Sequence, residues 1–202
     1  MKFSTPLILL SVQGHLLGAL ATKHSASSYP GLTDTDCQIR CPQSTNPSKV
    51  ILPAIVNIQN ATGDWDNALE CWEVDTISSS LPGIDNAYRL DWEDGFDAGY
   101  QYIFYGESFM QAHSTPEPSL IVVGGGIGDL RMPSGRCLRV QGGDNFFSFG
   151  TKGKMTAWWA PGTVVSDFYF KDGVIPEHVV VPELEESQYG RLLKHQQERL
   201  DL

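Results

Sequence analysis

The fold class of this chain is decided by the stretch VSDFYFKDG, residues 165–173. Phe168 and Phe170 alternate in it with Asp167 and Tyr169. A period of two places such residues on opposite faces of a β-strand. The stretch ends in Asp-Gly, a pair that closes strands in turns. It therefore predicts a β-strand that carries aromatic rings on both faces.

Nine further runs share this character between residue 49 and the stretch just quoted. Each is rich in β-branched or aromatic residues, is closed by Gly, Pro, Asn or Asp, and follows its predecessor at a spacing of about ten residues. In order they are KVILPAIVNI, LECWEVDT, NAYRLDW, GYQYIFYG, PSLIVVGG, GDLRM, GRCLRVQ, NFFSFG and KMTAWWA. None of the segments between these runs shows the sustained 3.6-residue apolar period of an amphipathic helix. We therefore predict an all-β fold, either a small β-barrel or a jelly-roll sandwich.

The two ends of the chain differ from this middle part and divide it into four regions. Residues 1–21 combine a basic start, an apolar run and a small-x-small cleavage signal, which is typical of a secretory signal peptide. Residues 22–48 are rich in Ser, Thr, Pro and Asp and predict an extended N-terminal arm. Residues 49–182 hold the β-barrel domain. Residues 183–202 are polar with sparse leucines and predict a short C-terminal helix or tail.

The cysteines agree with a secreted or lumenal protein. Cys37, Cys41, Cys71 and Cys137 are an even number outside the predicted signal peptide, as two disulfides require. Cys37 and Cys41 are so close in sequence that we expect each to pair with a distant partner and fasten the arm to a sheet. Pairing with each other across a tight loop is the alternative. The triplet NAT at Asn60 is a glycosylation acceptor.

Charge bears on the choice of partner. The net charge of −10 becomes −11 once Lys2 leaves with the signal peptide. So acidic a surface repels phosphate, which argues against nucleic acid and anionic membranes as partners. No later stretch is long and apolar enough to cross a bilayer.

Aromatic residues suggest a binding cavity, although the alternative is that every ring fills the core. A β-barrel mouth is a usual place for a small-molecule pocket, so we expect a hydrophobic small molecule as the partner. Two basic side chains could bind an anionic oxygen or serve only solubility. The substrate-binding candidates are Tyr102, Trp158, Trp159, Phe168 and Tyr169 for the walls, with Arg139 and Lys154 for the oxygen.

A second informative stretch is residues 105–130, YGESFMQAHSTPEPSLIVVGGGIGDL. Its glycines do not fit a phosphate-binding pattern, and a strand resumes after them. We predict a hairpin turn with positive φ at Gly124 to Gly128. His113 is either a hydrogen-bonded residue at a strand start or a general acid or base, since its usual pKa of ~6.5 suits proton transfer. Glu117 would orient it unless the flanking prolines turn that carboxylate to solvent.

From Gly106 this stretch has the spacing G-x6-H-x3-E-x6-G, which resembles the first motif of the cupins. In cupins a glycine-bounded strand pair presents histidines and a glutamate to a metal inside a small β-barrel. Residues 156–181, TAWWAPGTVVSDFYFKDGVIPEHVVV, look like the C-terminal part of small secreted cupin-like proteins of filamentous fungi. Residues 70–76, ECWEVDT, fit a strand of the same group.

The resemblance departs from metal cupins at the ligands. Metal cupins place two histidines one residue apart in the first motif and a third in the second. Here Ser114 and Thr115 follow His113, and residues 140–150 contain no histidine. One histidine and one glutamate are fewer ligands than a transition-metal site needs. We expect no metal and no cofactor, with a metal cupin using ligands from distant strands as the lesser alternative.

Taken with the signal peptide, sequon and disulfides, the pattern resembles the hetero-Diels–Alderases of tropolone–sesquiterpenoid pathways. That resemblance implies dehydration of an activated alcohol to a quinone methide, then cycloaddition with an alkene. His113 or a carboxylate such as Glu107 would help the hydroxyl leave. The cupin-like pattern also makes an edge-to-edge homodimer plausible. The alternative is a secreted binding protein or effector without catalysis, in which Trp65 and Trp92 would stack on sugars.

Overall fold

A computed structural model describes residue 37 and residues 41–78, 88–90 and 95–184. The predicted signal peptide lies outside the described residues, as do most of the predicted arm and most of the predicted C-terminal tail. Trp92 lies outside them as well. The described helices include none with the length and apolar character that a membrane span requires.

The described residues form twelve β-strands and one short 3-10 turn at Lys171–Gly173. In chain order the strands are β1 (Lys49–Gln59), β2 (Trp65–Ser78), β3 (Tyr88–Leu90), β4 (Phe96–Phe104), β5 (Ser108–His113), β6 (Ser119–Gly125), β7 (Ile127–Arg131), β8 (Cys137–Gln141), β9 (Asn145–Ser148), β10 (Met155–Trp159), β11 (Thr163–Phe170) and β12 (Val179–Val181). Each of the ten runs identified in the sequence contains a strand. Strands β5 and β12 are not among those runs.

The strands form two sheets. The large sheet has the order β12-β2-β1-β9-β6-β11-β4, with β3 paired to β2. The small sheet has the order β5-β10-β7-β8. All neighbours are antiparallel except β1 and β9, which are parallel. The predicted all-β class is therefore confirmed. Of the two forms considered, the sandwich is present and the closed barrel is not.

Apolar residues on the two faces of the large sheet belong to two separate clusters. The first cluster contains residues of both sheets, among them Ile55, Leu130 and Phe146, and lies between the sheets. The second contains residues of the large sheet alone, including Phe147 and Phe170. Phe146 and Phe147 are adjacent in β9 yet belong to different clusters, as the period of two along a strand requires.

The glycine run forms a corner between the sheets, so the predicted hairpin is wrong. Strand β6 belongs to the large sheet and β7 to the small one. Gly126 between them has φ +83°, the one positive value between residues 124 and 128. The hydroxyl of Thr163 stabilises the corner, because it accepts a hydrogen bond from Ile127 N at 3.1 Å and its O–H donates one to Ile127 O at 3.0 Å. The chain therefore changes sheets within one residue.

Two disulfides connect the predicted arm to the sandwich. The arm–β8 disulfide joins Cys37 to Cys137, and the arm–β2 disulfide joins Cys41 to Cys71. Each of the two close cysteines thus pairs with a distant partner, which confirms that expectation. Because β8 lies in the small sheet and β2 in the large one, the arm is bound covalently to both layers.

Candidate functional site

A cavity of about 570 Å³ lies between the two sheets. Strands β4, β6, β9 and β11 of the large sheet form one wall, and β5, β7 and β10 of the small sheet form the other. The lining combines apolar and aromatic side chains with polar ones. The polar lining residues are Tyr102, Ser108, His113, Ser114, Thr115, Ser148, Asp167 and Tyr169. Volumes of this size are usual for sites that enclose small molecules.

Strand register gives this cavity a polar end and an apolar end. Residues that are partners across the strands of the large sheet form successive rows. From the polar end, the rows are Ser148, Ser119 and Tyr169, then Phe146, Ile121, Asp167 and Tyr100, then Val123, Val165 and Tyr102. The polar groups of this wall are thus concentrated in the first two rows. Thr115 extends the polar end, because its hydroxyl lies 2.6 Å from that of Ser148.

A β-bulge in the opposite wall places His113 at the polar end. His113 pairs with Met155 and Met110 with Ala157, so β5 has one extra residue there. The bulge lets Met110 and His113 face the cavity together, although an odd spacing normally places two residues on opposite faces. The His113 Nδ1 atom donates a hydrogen bond to Gln111 O at 2.8 Å. Nε2 is therefore the ring nitrogen that remains for a ligand or a proton.

Aromatic rings form the apolar end. The rings of Phe104 and Trp159 stack across the two sheets, with centroids 5.4 Å apart and planes at 14°. The Trp159 ring lies directly against Gly128, where an added Cβ would be 2.2 Å from Cε3 of the ring. Gly128 therefore makes room for the ring, and the stack can hold a flat conjugated molecule.

The carboxyl group of Asp167 is the most unusual polar group of the cavity wall. Asp167 is only 8% exposed, and neither its Oδ1 atom nor the nearby Ser119 Oγ makes a hydrogen bond of normal geometry. Burial raises the pKa of the Asp167 carboxyl, and the hydroxyls of Ser119 and Tyr169 oppose this effect only in part. Burial, followed by the nearby Asp167 and Tyr102, also raises the pKa of the Tyr169 hydroxyl. Both shifts favour the neutral forms.

Four of the residues singled out in the sequence come together in this cavity. They are Tyr102, His113, Trp159 and Tyr169, and each lines it. Tyr102 and Tyr169 belong to neighbouring strands of the large sheet, whereas His113 and Trp159 belong to the small sheet. The cavity thus brings together side chains that are up to 67 residues apart in the chain.

Three others do not line the cavity and have partners outside it. Trp158 is adjacent to Trp159 in β10, so its side chain points to the opposite face of the strand. There its Nε1 donates a hydrogen bond to Glu107 Oε1 at 2.7 Å. Arg139 donates to both carboxylate oxygens of Asp129, at 2.8 and 2.9 Å. Glu107, Trp158 and Arg139 are therefore engaged with protein groups rather than directed at the cavity.

The remaining candidates also lie away from it. Phe168 packs against Phe96, with ring centroids 5.5 Å apart, because it alternates with the inward-facing Asp167 and Tyr169. Glu117 and Lys154 are exposed. Proline residues flank Glu117 on both sides, and the carboxylate is turned to solvent, the outcome that the sequence left open.

Asp167 is the residue to which sequence reasoning gave no role. The alternation in β11 already placed it on the same face as Tyr169. The usable signal was a lone acidic residue at an inward position of a strand whose other inward residues are apolar or aromatic.

The side chains that line the cavity are too few in metal-binding types to hold a metal ion. Only His113 and Asp167 among the cavity-lining residues have side chains that bind metals well. No group of three or more His, Cys, Asp or Glu side chains suited to a metal occurs within the described parts of the chain. The described residues therefore do not fit a cupin metal centre.

The glycosylation acceptor lies on the surface, in the turn between β1 and β2. The Asn60 Oδ1 atom accepts hydrogen bonds from Thr62 N at 3.0 Å and Asp64 N at 2.9 Å. Nearby, the ammonium group of Lys152 lies 4.1 Å from the ring centroid of Trp65. One face of Trp65 is thus already in contact with a cation, which leaves less of the ring for the sugar stacking considered above.

Comparison of the sequence with models of protein families and with curated proteins finds no match. The functional interpretation therefore depends on the geometry of the cavity and on the sequence resemblance.

Proposed function

We propose that this protein is a secreted, metal-independent tailoring enzyme of fungal secondary metabolism that acts on a hydrophobic small molecule between its sheets. The reaction is dehydration to a quinone methide followed by a hetero-Diels–Alder cycloaddition. The observation that supports the site is the cavity of about 570 Å³ with rings at one end and hydroxyl, carboxyl and imidazole groups at the other. The reaction type comes from the sequence resemblance.

The apolar end suits the positioning of two reactants. Phe104 and Trp159 offer a stacked aromatic surface, and a conjugated quinone methide is flat. Holding the heterodiene against an alkene replaces an encounter between two free molecules by a reaction within one complex. Such positioning lowers the activation barrier by on the order of several kcal/mol. A cycloaddition of this kind needs little else from the protein.

The polar end suits the dehydration. The leaving hydroxyl must receive a proton as its C–O bond breaks, and the phenolic or enolic O–H of the substrate must lose one. His113 is the predicted acid or base that lies in the cavity, and its Nε2 atom is the one available for proton transfer. Glu107, the other acid considered, is bonded to Trp158 outside the cavity.

The cellular location is part of the proposal. Two disulfides are typical of an oxidising compartment, and the N-terminal pattern is typical of a signal peptide. We propose that the chain enters the secretory pathway and carries a glycan at Asn60. A homodimer formed through sheet edges stays a prediction.

A binding protein or effector without catalysis is the alternative, and a binding protein would use the same cavity. The two functions differ in one measurable respect. A binding protein leaves its ligand chemically unchanged, whereas the enzyme produces a cycloadduct with one enantiomer in excess.

The test is incubation of the purified protein with a panel of ortho-(hydroxyalkyl)phenols and electron-rich alkenes. We expect chroman products to form faster than in buffer and with an excess of one enantiomer. The spontaneous reaction of a free quinone methide gives a racemate. Saturable binding together with racemic product at the buffer rate would favour the binding protein.

Two neighbouring substitutions in β5 provide the control. Met110→Trp replaces a linear side chain that lines the cavity by a bulkier aromatic one, whereas Phe109→Trp changes a residue that is exposed and absent from the cavity lining. We expect the first to lower the rate and the enantiomeric excess and the second to leave both unchanged. Equal effects would refute the cavity as the reaction site.

A further inference from the structure

Asp167 lies in the middle of the large-sheet wall, and no described Lys or Arg forms an ion pair with it. Its direct cross-strand partners are Tyr100 on β4 and Ile121 on β6. No ion pair in the described part of the chain includes it, and its Oδ1 atom has no hydrogen-bond partner. A carboxyl group more than nine-tenths buried is thus directed into a cavity that strand packing leaves open.

A second buried aspartate of the same protein shows the usual arrangement. Asp129 is 6% exposed, slightly less than Asp167, and Arg139 binds both of its carboxylate oxygens. A buried carboxylate is normally compensated in this way, because its ionised form loses hydration on burial. Among the described residues no such cation pairs with Asp167, so one buried aspartate is compensated there and the other is not.

The described residues that line the cavity with Asp167 include no Lys or Arg and so supply no permanent positive charge. Tyr100 and Tyr102 face it from β4, and Tyr169 lies on its own strand. His113 faces the same cavity from β5. The residues that β6, β7, β9 and β10 contribute to the cavity lining carry no ionisable group. The surroundings therefore make the charged carboxylate less favourable than it is in water, and burial raises the Asp167 pKa in the same direction.

We infer that Asp167 acts as a neutral carboxylic acid that donates a hydrogen bond to an uncharged carbonyl or hydroxyl oxygen of a hydrophobic ligand. The site then selects neutral, oxygen-bearing ligands and rejects carboxylates, which would meet a cavity without a fixed cation. The Oδ1 atom has no hydrogen-bond partner of normal geometry in the wall, and a ligand oxygen can accept the proton that a neutral carboxyl carries.

This inference rests on the binding site of the proposed function and names its acid. In the proposed dehydration the Asp167 proton passes to the leaving hydroxyl. The C–O bond breaks, its electron pair goes to that oxygen, and water departs. The phenolic O–H of the substrate gives its proton to the Asp167 carboxylate while its electrons form the quinone methide carbonyl. Asp167 ends as it began, and the balance is loss of one water.

Protonation is measured first, in the protein without ligand. Carbon NMR of the protein labelled at aspartate carboxyls is compared with the spectrum of Asp167→Asn, which assigns the Asp167 resonance by its loss. We expect the shift of a protonated carboxyl at neutral pH. The shift of an ionised carboxylate would overturn the inference without bearing on whether the cavity binds ligands.

Ligand selection is measured with prodan, a neutral naphthalene ketone whose emission moves to the red when its carbonyl accepts a hydrogen bond. We expect saturable binding with red-shifted emission, and binding at least about tenfold weaker for the naphthoate that carries a carboxylate in place of the ketone. Asp167→Asn keeps a donor and should bind prodan within a few-fold of wild type. Asp167→Leu should bind more weakly with blue-shifted emission. Equal emission in wild type and Asp167→Leu would overturn the inference.

The dependence on pH separates Asp167 from His113. Wild-type affinity should fall as the pH rises through the Asp167 pKa, because the donor is then lost. Asp167→Asn should lack this component and keep any contribution of His113, whereas the exposed Asp172→Asn should behave as wild type. An Asp167→Asn profile that falls in the same way would contradict the inference. Failure of prodan to bind, with Asp167 nevertheless protonated in the NMR spectrum, would count against the proposed function and against its named ligand class.

Discussion

Gly128→Ala is a direct test of the apolar end of the cavity. The added Cβ would lie 2.2 Å from Cε3 of Trp159, whereas ordinary contacts begin near 3.4 Å. The ring must therefore move by more than an ångström. Phe104 stacks on it across the sheets, so movement either disturbs that stack or carries the ring into the cavity.

The glycine run offers a graded series for the magnitude. Overpacking of this kind costs about 1–3 kcal/mol, which we expect for Gly128→Ala. Gly126→Ala should cost more, because its φ is +83° and its Cβ would lie 2.5 Å from the backbone Cα of Thr163. Gly125→Ala meets no atom within 4 Å and has an ordinary φ, so we expect a change within about 0.5 kcal/mol.

Thermal and urea denaturation measure the series, and prodan binding reports the cavity. For a chain of this size each kcal/mol corresponds to a shift in Tm of about 2–4 °C. We expect the stability order Gly125→Ala, Gly128→Ala, Gly126→Ala, from highest to lowest, and weaker prodan binding by Gly128→Ala than by Gly125→Ala. Wild-type stability and binding for Gly128→Ala would refute the placement of Trp159 against β7.

Three further predictions concern charge, disulfides and glycosylation. Since burial raises the Asp167 pKa, the folded state keeps a proton that the unfolded chain loses above about pH 4. The unfolding free energy of wild type should therefore fall relative to that of Asp167→Asn as the pH rises from about 4 to the folded pKa, by at most about 1.4 kcal/mol per pH unit. A difference that does not depend on pH would argue against the raised pKa. Removing the arm–β8 disulfide, of sequence separation 100, should cost about 4.7 kcal/mol, and removing the arm–β2 disulfide, of separation 30, about 3.6 kcal/mol; denaturation of the two double-alanine variants tests this order, which a reversed ranking would contradict. Mass spectrometry of protein secreted from a eukaryotic host should show a glycan that Asn60→Gln removes, and identical masses after correction for the substitution would exclude modification there.

Local sequence was sufficient for the strands and for their faces. Each of the ten runs contains a strand, because the alternation of apolar and polar side chains is a property of neighbouring residues. The same alternation correctly separated Asp167 and Tyr169 from Phe168. Strand β5 was missed because its bulge breaks the alternation between Met110 and His113.

Pairing between distant strands was beyond local sequence. Trp158 and Trp159 were equal candidates, since alternation assigns them to opposite faces without saying which face meets the other sheet. The glycine run indicated a positive φ, which is confirmed at Gly126. It did not indicate that β6 and β7 belong to different sheets. Disulfide partners were likewise open until the arm was placed against β8 and β2.

The sequence by itself therefore determined the all-β class, the strands and the alternating faces, because these depend on residues close together in the chain. Only the tertiary structure decided which strands pair, where the sheets leave a cavity, and that Asp167 faces it without the arginine that compensates Asp129. The physical reason is that burial and charge compensation depend on neighbours in space. The residues that line the cavity come from seven different strands.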